Sequence, residues 1–167
     1  MSYPLASAST SPTSPLSSTT SAFPSASGST VVIDTSAWVS RLLPHDSNYI
    51  TARTWIDNHI LNGGFFVAPM IFVIEVASAI ARETLPPDDP QADAHKAVNQ
   101  LYSLSIMRLV PLDQALVDEA TNLAADRRIR GADALFVAVA RHLGIPLVTF
   151  DKYQLKQPQA VVLTIRP

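Results

Sequence analysis

The sequence predicts an α/β fold in which helices wrap a central parallel sheet of four to five strands. Three observations predict it. Short apolar, β-branched runs stop at an acidic residue or a proline, as in Val31-Val32-Ile33-Asp34, and such runs fit strands buried on both faces. Stretches with helical spacing of apolar residues fall in pairs between the first of these runs, the alternation expected of a parallel sheet. The 167 residues, 47% of them hydrophobic, suffice for one well-buried core and fall short of two ordinary domains.

The first strand is the Val31 run, with Asp34, Thr35 and Ser36 at its carboxyl end. A short helix is expected over Ala37 to Leu43, closed by Pro44, and the His45-Asp46-Ser47 group supplies caps for a second helix to about Leu61. Gly63-Gly64 ends it, Phe65-Phe66-Val67 is the second strand, and Pro69 is expected to open a helix running to about Thr84. Pro86, Pro87 and Pro90 mark a break. Val98, Leu101 and Tyr102 keep helical spacing in a helix from Pro90 to about Ser105, after which Arg108-Leu109-Val110 is the third strand, ended by Pro111. Asp113 caps a helix with Leu116, Val117, Ala120, Leu123 and Ala124 on one face, which stops near the arginines before Gly131. Ala132 to Leu143 is a strongly apolar helix closed by Gly144. Strands over Ile145 to Phe150, ending at Asp151, and over Ala160 to Ile165 finish the chain.

Residues 1 to 30 carry no charged side chain and are two-thirds Ser, Thr and Pro, too little apolar surface to offset the ordering of the chain. The expected organisation is a disordered tail over 1–30 and one folded domain over 31–167. The tail has neither the basic start and apolar middle of a secretory signal nor the arginines of a transit peptide. A glycosylated Ser/Thr/Pro stalk and a gene-model artefact upstream of the true start are the alternatives for it. No apolar run reaches membrane-spanning length, since Pro69 and Glu75 interrupt the run from Phe65 to Ala81. The lack of cysteine excludes disulfides and thiolate metal sites and suits a cytoplasmic location. A formal charge of -2 gives no global attraction for nucleic acid, so any such contact has to be local.

Four carboxylates break local expectation. Asp34 and Asp151 stand at the carboxyl ends of apolar strands, where ligands of open α/β sheets gather. Glu75 is the only charge in the run from Phe65 to Ala81, and Asp133 the only one between Arg130 and Arg141. Burying an ionised carboxylate costs several kcal/mol unless it is paired, so each needs a cation or a proton. Singly, each has an ordinary reading: Asp34 and Asp133 cap helices, Asp151 starts a turn, and Glu75 meets a distant arginine. Jointly, they fit one metal site better than four coincidences. All-oxygen donors favour Mg²⁺ or Mn²⁺ over Zn²⁺, and His45, His59, His95 and His142 are isolated.

Ile33-Asp34-Thr35-Ser36, Glu75 in its apolar helix, Gly131-Ala132-Asp133-Ala134-Leu135-Phe136-Val137-Ala138 and Thr149-Phe150-Asp151 together resemble the PIN-domain nucleases, and the compact size is similar to the VapC-type toxins of toxin–antitoxin modules. The resemblance covers about residues 31 to 167. It implies a three-layer α/β/α fold and metal-dependent hydrolysis of RNA phosphodiesters with Mg²⁺ or Mn²⁺. In it Asp34, Asp133 and Asp151 correspond to direct ligands and Glu75 to a ligand or water-orienting base. Thr35, Ser36 and Thr149 correspond to hydroxyls that support the carboxylates or hold water. It further implies a cognate antitoxin whose C-terminal segment covers the acidic site, and a homodimer, which the apolar helices around Glu75 and from Asp113 to Ala125 also favour. The neutral tail departs from the pattern.

Arg127, Arg128 and Arg130 precede Asp133, where they either hold substrate phosphates or complement the negative end of the preceding helix and pair with Asp126. Trp38 and Trp55 read as core rather than as partner surface. The competing functions are a catalytically inactive PIN-like interaction module and an aspartyl-nucleophile phosphatase. The phosphatase usually wants a second Asp two residues on, where this chain has Ser36. A dinucleotide-binding fold is excluded, since no glycine fingerprint follows the first strand.

Overall fold

Val31, Val32 and Ile33 have branched side chains without a polar atom, and they form the centre of the sheet. In the computed structural model, which describes residues 28–85, 87–158 and 161–167, β1 (Thr30–Ile33) pairs in parallel with β2 (Phe65–Pro69) on one side and β4 (Leu147–Val148) on the other. β3 (Met107–Val110) lies outside β2 and β5 (Thr164–Ile165) outside β4, so the five parallel strands run in the order β3-β2-β1-β4-β5. Residues 1–27 of the expected tail lie outside the described residues.

Among the described residues six helices flank the sheet. α1 (Thr35–Leu42) and α2 (Tyr49–Leu61) join β1 to β2, and α3 (Ile71–Glu83) and α4 (Pro90–Ser103) join β2 to β3. α5 (Gln114–Arg127) and α6 (Gly131–Leu143) lead from β3 to β4. The chain moves outward from β1 to β3 and then returns to the other side of β1 for β4. Parallel crossovers are right-handed, so this reversal puts α5 and α6 on the opposite face from α1 to α4 and makes the three-layer α/β/α sandwich. α6 packs on β1 and β2. Phe66, Phe72 and Phe136 are fully buried, and Trp38, buried as expected, meets Phe66 and Phe72 edge-on at centroid distances of 5.7 and 6.2 Å. Trp55 stacks on His59 at 5.1 Å.

Several boundaries differ from the sequence expectation for identifiable reasons. Pro69 does not open a helix; it is the last residue of β2, in register with Val110. A proline lacks the N–H that a ladder needs, and a strand end tolerates that. α1 starts at Thr35 rather than Ala37, because Asp34 caps it. α2 starts at Tyr49, with Asp46 accepting from the Asn48 amide at 2.6 Å in the turn before it. α4 stops at Ser103, and the two last strands shrink to two residues each. Asp113 and Gly144 close their helix ends as expected, Asp113 by accepting from the Leu116 amide at 2.8 Å and Gly144 with φ 64°.

Candidate active site

The strand order reverses between β1 and β4, and a crevice opens beyond the carboxyl ends of two such strands. Hydroxyls tie these ends together. Ser36 Oγ accepts from the Phe150 amide at 3.0 Å, and Thr149 Oγ1 accepts from the Asp151 amide at 2.9 Å. Both hydroxyls then donate to Asp34 Oδ2, at 2.5 and 2.9 Å, beside the Ser36 amide at 3.1 Å. Asp34 is therefore the N-cap of α1 and the hub of the site at once: the capping reading and the ligand reading describe one side chain. It is 4% exposed.

The other three acidic residues come to the same cleft, of about 410 Å³. Glu75 lies on the stripe of α3 that also carries Ile71, Ser78, Ala79 and Arg82, spaced to share one helix face. Its partner is a hydroxyl rather than an arginine: Thr35 Oγ1 donates to Glu75 Oε2 at 2.5 Å. Burial pushes the Glu75 carboxyl above its ordinary pKa, and the charges of Asp34 and Asp133 add to this against the Thr35 hydrogen bond. Asp133 sits in the first turn of α6 and is also raised, chiefly by burial, with Gln154 and Arg130 opposing. Asp151 forms the turn expected of it, its Oδ1 accepting from the Tyr153 and Gln154 amides at 2.7 and 3.1 Å.

A carboxyl whose pKa is raised by folding binds its proton more tightly in the folded state. Its contribution to stability is fully present below the unfolded pKa, near 4.3, and is lost as pH rises through the raised folded value. Ionised Glu75 thus weakens the cation-free fold at neutral pH. Glu75→Gln, which keeps an acceptor for Thr35, is expected to melt a few degrees above the parent at pH 7.5 in chelator and to match it near pH 4.5. Thermal melts of both proteins at the two pH values check this.

Arg130 is the one member of its trio that reaches the carboxylates, with Nε 3.0 Å from Asp133 Oδ2 and Nη2 2.7 Å from Asp151 Oδ2. It pairs with these two rather than with Asp126. Arg127 lies in the last turn of α5 and Arg128 at its C-cap with φ 55°, and neither lines the cleft. Sequence reasoning missed Gln154. This residue is 1% exposed, and its Nε2 donates to Asp34 Oδ1 at 3.1 Å and to Asp133 Oδ1 at 2.9 Å. Nothing in its loop context marks it, except that it follows Asp151 by three residues.

The PIN-domain family model matches residues 31–159, which span both strand ends and all four carboxylates. The chain belongs to the PIN-domain family. No curated protein matches it. Among solved structures, this PIN domain is similar to VapC20 of Mycobacterium tuberculosis, described as a toxin that cleaves the sarcin–ricin loop, with TM-score 0.64 and 20% identity over 82% of this chain and 99% of that one. It is also similar to FitAcB of Neisseria gonorrhoeae, with TM-score 0.59 and 20% identity over 81% of this chain and 96% of that one. VapBC2 of Rickettsia felis, solved with a fragment of its promoter DNA, gives TM-score 0.57 and 12% identity over 83% and 98%. At these identities the likeness is one of fold.

The donor chemistry of the cleft fits a hard divalent cation, since Asp34, Glu75, Asp133, Asp151 and the hydroxyls of Thr35 and Ser36 line it with oxygen. Among the described residues no three acidic or histidine side chains are grouped closely enough to hold an ion as they stand. Protein donors lie between them: the Gln154 amide between Asp34 and Asp133, and the Arg130 guanidinium between Asp133 and Asp151.

Proposed function

We propose that this PIN domain is a metal-dependent endoribonuclease, the toxin of a type II toxin–antitoxin pair. The observation that carries the reading is the convergence of Asp34, Glu75, Asp133 and Asp151 on one cleft at the switch point of the sheet. Mg²⁺ or Mn²⁺ held there by Asp34, Asp133 and Asp151 would lower the pKa of a bound water and offset charge on the phosphate. The chain's own groups do the rest. Glu75, its pKa raised and its carboxylate oriented by Thr35, is suited to take a proton from the attacking water or to serve as a further ligand. Ser36 and Thr149 fix the Asp34 carboxylate, and Arg130, exposed at the rim, offers a guanidinium to a phosphate oxygen.

Exposed Ile74, 70% accessible and lining the cleft beside Glu75, offers an apolar edge to an antitoxin segment that covers the acidic site. A homodimer and a cytoplasmic location belong to the same reading. No helix among the described residues is long and apolar enough to cross a membrane.

The inactive-module alternative is favoured by one observation, that protein donors already satisfy the carboxylates. Incubating the purified protein with total RNA, with Mg²⁺ or Mn²⁺ and then with chelator, separates the two. The nuclease reading expects cleavage products at defined ends that disappear with chelator, and a cation-dependent rise in melting temperature. Intact RNA together with no thermal response to either ion would establish the module.

A further inference from the structure

Gln154 is an unusual residue to find fully buried among carboxylates. Its two N–H donors go to Asp34 on one side of the crevice and Asp133 on the other, while its backbone N–H goes to Asp151. One residue thus touches three of the four acidic side chains. Its amide oxygen is different: Gln154 Oε1 is buried and has no hydrogen-bond partner among the described residues. A buried acceptor left unpaired is costly, and such groups are rare in folded proteins. The orientation is nonetheless dictated, because two carboxylates can face only the NH₂ end of the amide.

The unpaired oxygen and the bridging nitrogen belong to one planar group. A half-turn about the last side-chain torsion exchanges them, and that torsion is broad and nearly two-fold. With the carboxylates alone, the nitrogen has to face the gap. With a hard cation between the carboxylates, a donor facing the gap is repelled, while an oxygen in the same place is the donor type such an ion takes.

Resting on the metal-dependent reading above, we infer that Gln154 is a positioning residue with two settings. Its NH₂ end bridges Asp34 and Asp133, and its Oε1 end would turn toward a cation, through a bound water, when the site is loaded. This accounts for the orphaned buried oxygen.

The test compares the full chain with Gln154→Leu, which keeps the bulk and the net charge, and Gln154→Glu, which keeps an oxygen and removes the N–H donors. Melting temperature is read in chelator, and Mg²⁺ and Mn²⁺ affinity is read by calorimetry. Both variants are expected to melt several degrees below the parent in chelator. Gln154→Leu is expected to bind either ion roughly tenfold more weakly or worse, as changes beside metal ligands do, and Gln154→Glu to recover the affinity without recovering the melting temperature in chelator. Cation affinity unchanged in Gln154→Leu overturns the inference and leaves Gln154 a structural clasp. Tighter binding in Gln154→Leu also overturns it, since the amide would then be only a competitor. A parent protein that binds neither ion overturns the metal-dependent reading and this inference with it.

Discussion

Asp34→Asn is expected to lower the proposed RNA cleavage by about 100-fold or more while the protein stays folded. The hydrogen bonds explain both halves. Asp34 Oδ2 accepts from the Ser36 amide, the Ser36 hydroxyl and Thr149, and an asparagine oxygen in that place keeps all three and preserves the cap of α1. The asparagine NH₂ then takes the place of Oδ1, where it meets the Gln154 NH₂ donor against donor. Turning the Gln154 amide relieves that clash at the cost of its bond to Asp133. What the variant loses outright is the negative charge at the hub, and with it the anionic oxygen that the proposed mechanism assigns to the metal. Asp34→Ala is a poorer test, because losing an N-cap costs about 1 kcal/mol and also leaves the Thr149 hydroxyl without its acceptor. Cleavage assays with far-UV circular dichroism on the Asn variant check the expectation, and parent-level cleavage by a folded variant would remove Asp34 from the mechanism.

The second large effect is expected at Arg130. Its guanidinium stands at the rim of the cleft, bonded to Asp133 and Asp151 and lying 5.2 Å from the Tyr153 ring centroid. The two carboxylates raise its pKa above the ordinary arginine value, that of Asp133 first, so it is a fixed positive charge. A metal ion held by those carboxylates would compete with the guanidinium for them and would leave it free to meet a phosphate. Arg130→Gln is expected to weaken RNA binding roughly tenfold and to reduce the slope of log affinity against log salt by about 0.7, the value for one phosphate contact on a single strand. Arg128→Gln is expected to change neither, since Arg128 is the C-cap of α5 and the pairs to Asp133 and Asp151 are made by Arg130. Binding titrations across a salt series decide it, and a slope unchanged in Arg130→Gln would return Arg130 to a purely structural ion pair.

The legible part of this protein is local. The apolar runs ending at Asp34 and near Asp151 mark buried strands because a strand covered on both faces tolerates no polar atom until it leaves the sheet. Glu75 and Asp133 stand out because each is the lone charge in a long apolar run, Phe65 to Ala81 for the first and the residues between Arg130 and Arg141 for the second. Pro69 misled because a proline is compatible both with a first helical turn and with a strand end, and only its register with Val110 decides between them. The last strands were expected too long because β-branched residues extend past the pairing that a two-residue ladder supplies.

The sequence by itself determined the elements, the family and four conspicuous carboxylates, since hydrophobic periodicity and the cost of a buried charge act within a few residues of chain. The tertiary structure decided what those carboxylates face. The reversal of strand order between β1 and β4 brings residues 34 and 149 into hydrogen-bonding distance across 115 positions of sequence. The same reversal seats Gln154 between Asp34 and Asp133. A polar residue in an irregular loop has no periodicity and no local anomaly, so its partners exist only once the chain has folded back upon them.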